Sequence, residues 1–439
     1  MRNMFEKLTT ISFLKDRSGN FSLAFAALAT ALLMSAGIAI NYAQLSMARS
    51  NLNNAVDGAV TSTARDITTG VIEIRDAEKM IRAFLDANGT TAFIGGGINI
   101  EHIEIDRTAK TVAVAASANV GVAFPLFSGA DTRRVSTVSK SLYSDRLIEV
   151  AMMLDVTGSM AGHKIEDLKS AAKTAVNTFL AGQDKNDPRI RVAVVPYADS
   201  VNVGPLAASA VHVETAYTTG EPPAADDPVV ASAAAPDDCA TERKGRYQFS
   251  DAGPNAAKVN RDYRLTYCPS ARMQPLTASI DDLEASINAF RADGFTAGHI
   301  GVQWSWYVLS DKWAGFLPAE SRPAKANSTK VAKYAILMTD GEFNTAFADV
   351  GKREKTRGGQ PFRSRSKAER LCAEMKRDGI EIFTIGFDLD NNDARGVMQK
   401  CASRNQGSVQ HYYEAADGAA LEAAFLEIAA NIERLTLVK

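Results

Sequence analysis

The stretch "LIEVAMMLDVTGSMAGHKIEDLKSAAKTAVNTFL", residues 147–180, decides the fold. It opens on an apolar run and passes through the oxygen-bearing side chains Asp155, Thr157 and Ser159. It continues with Ile165, Leu168, Ala172, Val176 and Phe179 on one face of a helical pattern. An apolar run without alternation reads as a strand covered on both faces, and the periodic segment as an amphipathic helix. Working outward, "RIRVAVVPYA" (189–198), "KYAILMT" (333–339) and "IEIFTIGF" (380–387) repeat the strand pattern, and "SKAERLCAEMKRDG" (366–379) repeats the helical one, stopped by Gly379. Strands alternating with helices predict an α/β domain over residues 146–439 with a doubly wound, mainly parallel sheet. One connection, about 204–274, is too long for an ordinary loop and is rich in Pro, Ala and Asp. It reads as a partly mobile insertion on the domain's rim.

Upstream the pattern differs. From Ser18 to Ala48 there is no charged residue, and "FSLAFAALATALLMSAGIAI" (21–40) is apolar or small throughout. A membrane-crossing helix needs about 20 such residues, whereas signal-peptide cores are usually about 7–15, so residues 18–45 read as a retained anchor. Lys7, Lys15 and Arg17 precede it, which predicts that residues 1–17 stay in the cytoplasm and the rest of the chain is exported. The expectation is a single-pass inner-membrane protein with its bulk in the periplasm, the outer surface being the alternative. Residues 46–145 then read as a helix-plus-β stalk. Helical spacing through Leu45, Leu52, Val56, Ala59 and Ile67 is followed by a second helical piece ending at Asn88-Gly89. After these come the alternating segments "INIEHIEID", "KTVAVAASANV" and "RRVSTVSKSLYS".

The 439 residues suffice for two or three domains, and a net charge of -2 gives no sign of a nucleic-acid-binding surface. Four cysteines without CxxC spacing form no zinc site. In an exported chain they are expected to be oxidised. Of three possible pairings the local one is preferred, Cys239 with Cys268 and Cys372 with Cys401.

Ligands of open α/β sheets bind at the carboxyl ends of the strands. Asp155 falls at such an end, with Thr157 and Ser159 on the loop behind it. Asp340, after "KYAILMT", falls at a second strand end, and Thr296 lies in the Gly-flanked loop "DGFTAGHIG". Two carboxylates and three hydroxyls are hard oxygen donors, suited to Mg²⁺ or Mn²⁺. They leave such an ion incompletely neutralised, so one water position can be yielded to an acidic side chain of a protein partner. The plain alternative for "DVTGSM" is a strand-to-helix turn with Asp or Ser as N-cap. No G-x-S-x-G elbow or P-loop accompanies the cluster, and Thr157 stands where an aspartyl phosphatase needs a second carboxylate, so the protein reads as a non-enzyme. His163 and His299 flank the site and read as locally hydrogen-bonded loop residues. "WSWY" (304–307) is expected to pack on the sheet, the basic run 351–367 to be a solvated loop, and Asp388 to belong to a turn.

"DVTGSM", the threonine of "DGFTAGHIG" and "MTDGE" resemble, in order and context, the metal-ion-dependent adhesion site (MIDAS) of von Willebrand factor type A domains. The pattern is Asp-x-Ser-x-Ser followed by a distant Thr and a distant Asp, with Thr157 here in place of the middle serine. The resemblance implies that Thr157, Ser159 and Thr296 supply hydroxyls while Asp155 and Asp340 act directly or through water. "GNFSLAFAALATALL", "LNNAVDGAVTSTARD", "CPSARMQPLT", "GHIGVQWSWYVLS" and "AAFLEIAANIERLTLVK" are similar to TadG-type proteins of tight-adherence (Flp-type) pilus assembly. In these a TadE-like anchor precedes a von Willebrand A-like domain. That likeness implies a cell-envelope protein of pilus assembly that binds a protein partner, or, alternatively, a scaffold with a vestigial metal site. Related processed pilins carry glutamate five residues after the cleavage glycine. Counted from Gly19 that position is Ala24, so an intact anchor is expected.

Overall fold

Small and apolar residues with no interior proline make the N-terminal segment a single helix, α1 (Gly19–Thr69), with no break at the expected anchor boundary near residue 45. Phe25, Leu28, Leu32, Leu33 and Ile38 all lie exposed along its first half, and the helix is long and apolar enough to cross a membrane. The computed structural model describes residues 19–88, 97–125, 130–183, 188–214, 237–325, 330–348 and 359–438. The predicted cytoplasmic tail, including Lys7, Lys15 and Arg17, lies outside them.

Two compact units result, one of residues 1–65 and 73–143, the other of residues 66–72 and 144–439. In the first, the buried stripe Ala48, Leu52, Val56 and Ala59 continues α1, followed by α2 (Ala77–Asn88). Three strands, β1 (Asn99–Asp106), β2 (Thr111–Gly121) and β3 (Thr132–Leu142), form an antiparallel sheet with β2 central. Val112, Val114, Ala116, Ala118 and Val120 point inward from β2, the period of two read in the sequence. Residues 66–72 belong with the second unit. Thr68 accepts through its hydroxyl from the Ser144 backbone N–H at 2.9 Å, and Gly70 lies against the Arg189 side chain.

The second unit is built on a six-stranded sheet. Its strands are β4 (Leu147–Asp155), β5 (Ile190–Tyr197), β6 (Gln274–Thr277), β7 (Val331–Thr339), β8 (Glu381–Phe387) and β9 (Tyr412–Ala415), in the order β6-β5-β4-β7-β8-β9. All pairings are parallel except β6 with β5. Side chains of β4 alternate between two cores. Ile148, Val150, Met152 and Leu154 face the core that holds Leu168 and Phe179 of α3 (His163–Leu180), Leu283 of α4 (Ile280–Asn288) and Phe425 of α8 (Gly418–Val438). Ala151 and Met153 face the core that holds Trp304 of α5 (Gly298–Tyr307), Leu371 of α6 (Gln360–Arg377) and Val397 of α7 (Asn392–Cys401). Helices on both faces explain why the strands read as unbroken apolar runs. Helix α5 is buried throughout, Trp304 and Trp306 included. A Cβ on Gly301 would stand 2.9 Å from Met153 and from the Tyr197 ring, so only glycine lets α5 lie this close to β4 and β5.

Two expectations are corrected. The described part of the 204–274 connection is folded, not a mobile rim: Cys239, Ala240, Val259 and Leu265 enter the core, and Lys244 is clamped by Glu214 and Asp262. Charged residues that composition reads as solvated are paired and buried there. The described part of the basic run is not a loop either, since residues 360–367 begin α6. Arg365 there pairs with Glu342 and Asp393, and Lys367 with Glu242. Residues 215–236 and 351–358 lie outside the described residues.

Candidate metal centre

In the strand order β5-β4-β7, chain direction around the sheet reverses between β4 and β7, which opens a crevice at their carboxyl ends. Asp155 is the last residue of β4, and Asp340 follows the last residue of β7. Between β4 and α3 the chain makes a single 3₁₀ turn, Gly158–Met160, pinned by the buried Met160. It then bends at Gly162, whose φ of 85° suits glycine.

This turn lines up one continuous set of oxygens. Asp155 Oδ1 accepts from the Thr157 backbone N–H at 2.9 Å and from the Thr157 hydroxyl at 2.6 Å. Asp155 Oδ2 accepts from the Tyr197 hydroxyl and from the Thr339 hydroxyl, both at 2.7 Å. Thr157 Oγ1 lies 2.9 Å from Ser159 Oγ, and the Ser159 hydroxyl donates to Asp340 Oδ1 at 2.6 Å. The other Asp340 oxygen accepts from Lys164 at 3.3 Å. Asp155, Thr157 and Asp340 are buried, while Ser159 is exposed and opens the cluster to solvent.

Thr296 lies on the loop that borders this turn. The Asp293 backbone N–H donates to the Val156 carbonyl at 3.1 Å and Gly158 N–H to the Gly294 carbonyl at 3.0 Å. The Thr296 backbone N–H is held by Asn344 Oδ1 at 3.0 Å, and its carbonyl accepts from Asn344 and Thr345. The loop thus ties the Asp155 turn to the segment behind Asp340. Thr296 itself is buried.

Electrostatics follow from placing two buried carboxylates in one crevice. Burial, and next the Asp155 carboxylate, push Asp340 up to about 6 against the opposing bonds from Ser159 and Lys164. Burial and Asp155 together hold the Tyr197 phenol well above its ordinary range, so it stays a donor.

The donor set fits a hard divalent cation. Each hydroxyl carries one proton. The Thr157 hydroxyl meets Asp155 and the Ser159 hydroxyl meets Asp340, both at 2.6 Å, and the two hydroxyl oxygens lie 2.9 Å apart with either able to donate. With Asp340 ionised, two hydroxyl protons serve three close oxygen contacts, and a cation on the remaining lone pairs is a partner of the right sign. Another metal-like grouping, Asp237 with Cys239 and Cys268, offers no thiolate: the two cysteines are bonded to each other (S–S 2.04 Å) and Asp237 pairs with Arg261. Cys372 and Cys401 form a second disulfide at 2.01 Å.

Tyr197, Thr339 and Lys164 are not singled out in the sequence as contributors, and Asp388 reads there only as part of a turn. The first two follow from the fold, as each is the last residue of a strand flanking β4. Asp388, expected in a turn, takes the Lys164 ammonium at 2.9 Å. His163 is exposed. His299 is no loop residue but a buried part of α5, bonded to Ser364 at 2.9 Å and Glu242 at 3.0 Å.

Residues 317–427 match the von Willebrand factor type A domain model. The chain therefore carries a von Willebrand A domain. The matched stretch takes in Asp340 and begins after Asp155, Thr157, Ser159 and Thr296. No curated protein matches the chain. Among solved structures, the pilus adhesin SpaC from Lactobacillus rhamnosus GG is similar at 13% identity over 77% of this chain and 34% of SpaC, with a TM-score of 0.38. This chain thus spans about a third of SpaC. The vWF domain of the type V pili tip protein Mfa5 from Porphyromonas gingivalis is similar at 15% identity over 67% of this chain and 97% of that domain, TM-score 0.39. Proximal thread matrix protein 1 from the mussel byssus, with a zinc-occupied MIDAS motif, is similar at 13% identity over 66% of this chain and 46% of its own, TM-score 0.32.

Proposed function

We propose that this is a membrane-anchored protein of tight-adherence pilus assembly that binds Mg²⁺ or Mn²⁺ at the β4–β7 crevice and, through it, an acidic side chain of a protein partner. The reading rests on one observation above all, the hydroxyl pair Thr157–Ser159 held 2.9 Å apart between the Asp155 and Asp340 carboxylates. The two hydroxyls, with Thr296 on the loop that borders their turn, would hold the ion, and Asp155 and Asp340 would balance its charge directly or through water. When bound, the ion supplies a positive centre for an incoming carboxylate. The opening at Ser159 is where that carboxylate enters. The exposed apolar half of α1 supports the anchor, and the quoted TadG-like segments support the place in pilus assembly.

A non-enzymatic role accords with the other polar cluster. Ser364, His299 and Glu242 have the order of a nucleophile, a base and an acid, yet all three are buried, and Glu242 also accepts from the Phe347 and Ala348 backbone N–H groups. Crosslinking in cells followed by pull-down, with and without chelator, tests the proposal. The expected result is a partner captured from wild type in the presence of divalent ion and lost with EDTA or with Asp155→Ala. Capture that ignores both treatments favours a metal-independent scaffold.

A further inference from the structure

The Lys164 ammonium sits between two carboxylates, 3.3 Å from Asp340 Oδ2 and 2.9 Å from Asp388 Oδ2, in the first turn of α3. The surroundings of its two partners differ. The Asp340 side chain is 0% exposed and bonded through its other oxygen to Ser159, whereas that of Asp388 is 56% exposed. Asp388 also has a φ of 47°, a left-handed conformation that few non-glycine residues adopt, held by its backbone N–H donating to the Ala415 carbonyl at 2.7 Å. The Phe387 ring lies 5.9 Å from Nζ and favours a cation at this spot.

From this geometry we infer that Lys164 is a tethered counter-cation of the metal centre: it shares Asp340 in the ion-free protein and is held by Asp388 once a divalent ion takes Asp340. The inference rests on the metal-binding reading above and adds its regulation. An ammonium and a divalent ion competing for one carboxylate repel each other, and a second carboxylate on the far side lets the lysine yield without losing its partner. Lys164 therefore weakens ion binding. It also leaves the bound ion less neutralised, and hence more attractive to a partner's carboxylate. The two flanking residues should then act with opposite signs. Removing the lysine relieves the repulsion, while removing Asp388 leaves the lysine with Asp340 alone.

Calorimetric titration of the full chain in detergent with Mn²⁺ at pH 8 tests this. For charges of +2 and +1 separated by several ångströms in a water-like dielectric, Lys164→Met should tighten Mn²⁺ binding roughly tenfold. Asp388→Asn should weaken it several-fold, the double variant should follow Lys164→Met, and Lys164→Arg should stay near wild type. Wild-type binding left unchanged or weakened in Lys164→Met, with Lys164→Arg intact, overturns the inference alone. Absence of Mn²⁺ binding in wild type overturns the metal reading with it.

Discussion

Replacing Asp340 by asparagine should stabilise the ion-free protein. The aspartate is pushed from an ordinary 3.8 to about 6, first by burial and then by Asp155. The native state therefore holds this proton more tightly than the unfolded state. Between those two values the unfolded chain binds fewer protons, so stability falls as pH rises. Above about pH 6 the full cost is reached, on the order of 3 kcal/mol for that gap. Asparagine keeps an acceptor for the Ser159 hydroxyl and removes the charge. In EDTA at pH 8 the variant should then be more stable than wild type by on the order of 2–3 kcal/mol, and the two should converge near pH 4. The assay is urea unfolding followed by tryptophan fluorescence, since Trp304, Trp306 and Trp313 are the three tryptophans of the chain and all are buried in the von Willebrand A unit. Saturating Mg²⁺ should narrow or reverse the order, because wild type gains about 2.7 kcal/mol at an ion concentration of 100 Kd. A variant less stable than wild type in EDTA, or a difference that does not change with pH, refutes the reasoning.

Glu242 has the opposite sign. Against the penalty of burial, Lys367 and His299 hold its carboxyl well below the ordinary range, so its stabilisation is present above the unfolded value of about 4.5 and is lost as pH falls toward the folded one. Glu242→Ala strands the buried Lys367 and should cost about 3–5 kcal/mol at neutral pH in the same urea assay. Replacing Cys372 and Cys401 by serine opens a loop with a sequence separation of 29 and should lower stability by about 3–4 kcal/mol, with no change in divalent-ion affinity.

Much of this architecture is written in local pattern. A strand sandwiched between helix layers must be apolar on both faces, so β4, β5, β7 and β8 stand out as runs, and their ends mark where Asp155 and Asp340 fall. The resemblance of "DVTGSM" and "MTDGE" to a metal-binding pattern draws on the same ends. What local pattern does not carry is the pairing of charges distant along the chain. Lys164 reads as a surface residue of an amphipathic helix until β8 brings Asp388 beside it. The 204–274 connection reads as solvated because its Arg, Lys, Asp and Glu residues look polar one at a time. Buried together, as with Lys244 between Glu214 and Asp262, they form a folded layer. Composition likewise hides α6, whose basic first turns are neutralised by Glu342, Asp393 and Glu242 from three separate segments.

The central claim is that the hydroxyls and carboxylates at the β4–β7 crevice share one divalent ion. Mn²⁺ binding to the full chain, counted by electron paramagnetic resonance for wild type and Asp155→Ala side by side, tests it most directly. One bound ion per wild-type chain and none in the variant are expected. Ion binding of equal stoichiometry and affinity in both proteins, or in neither, contradicts it.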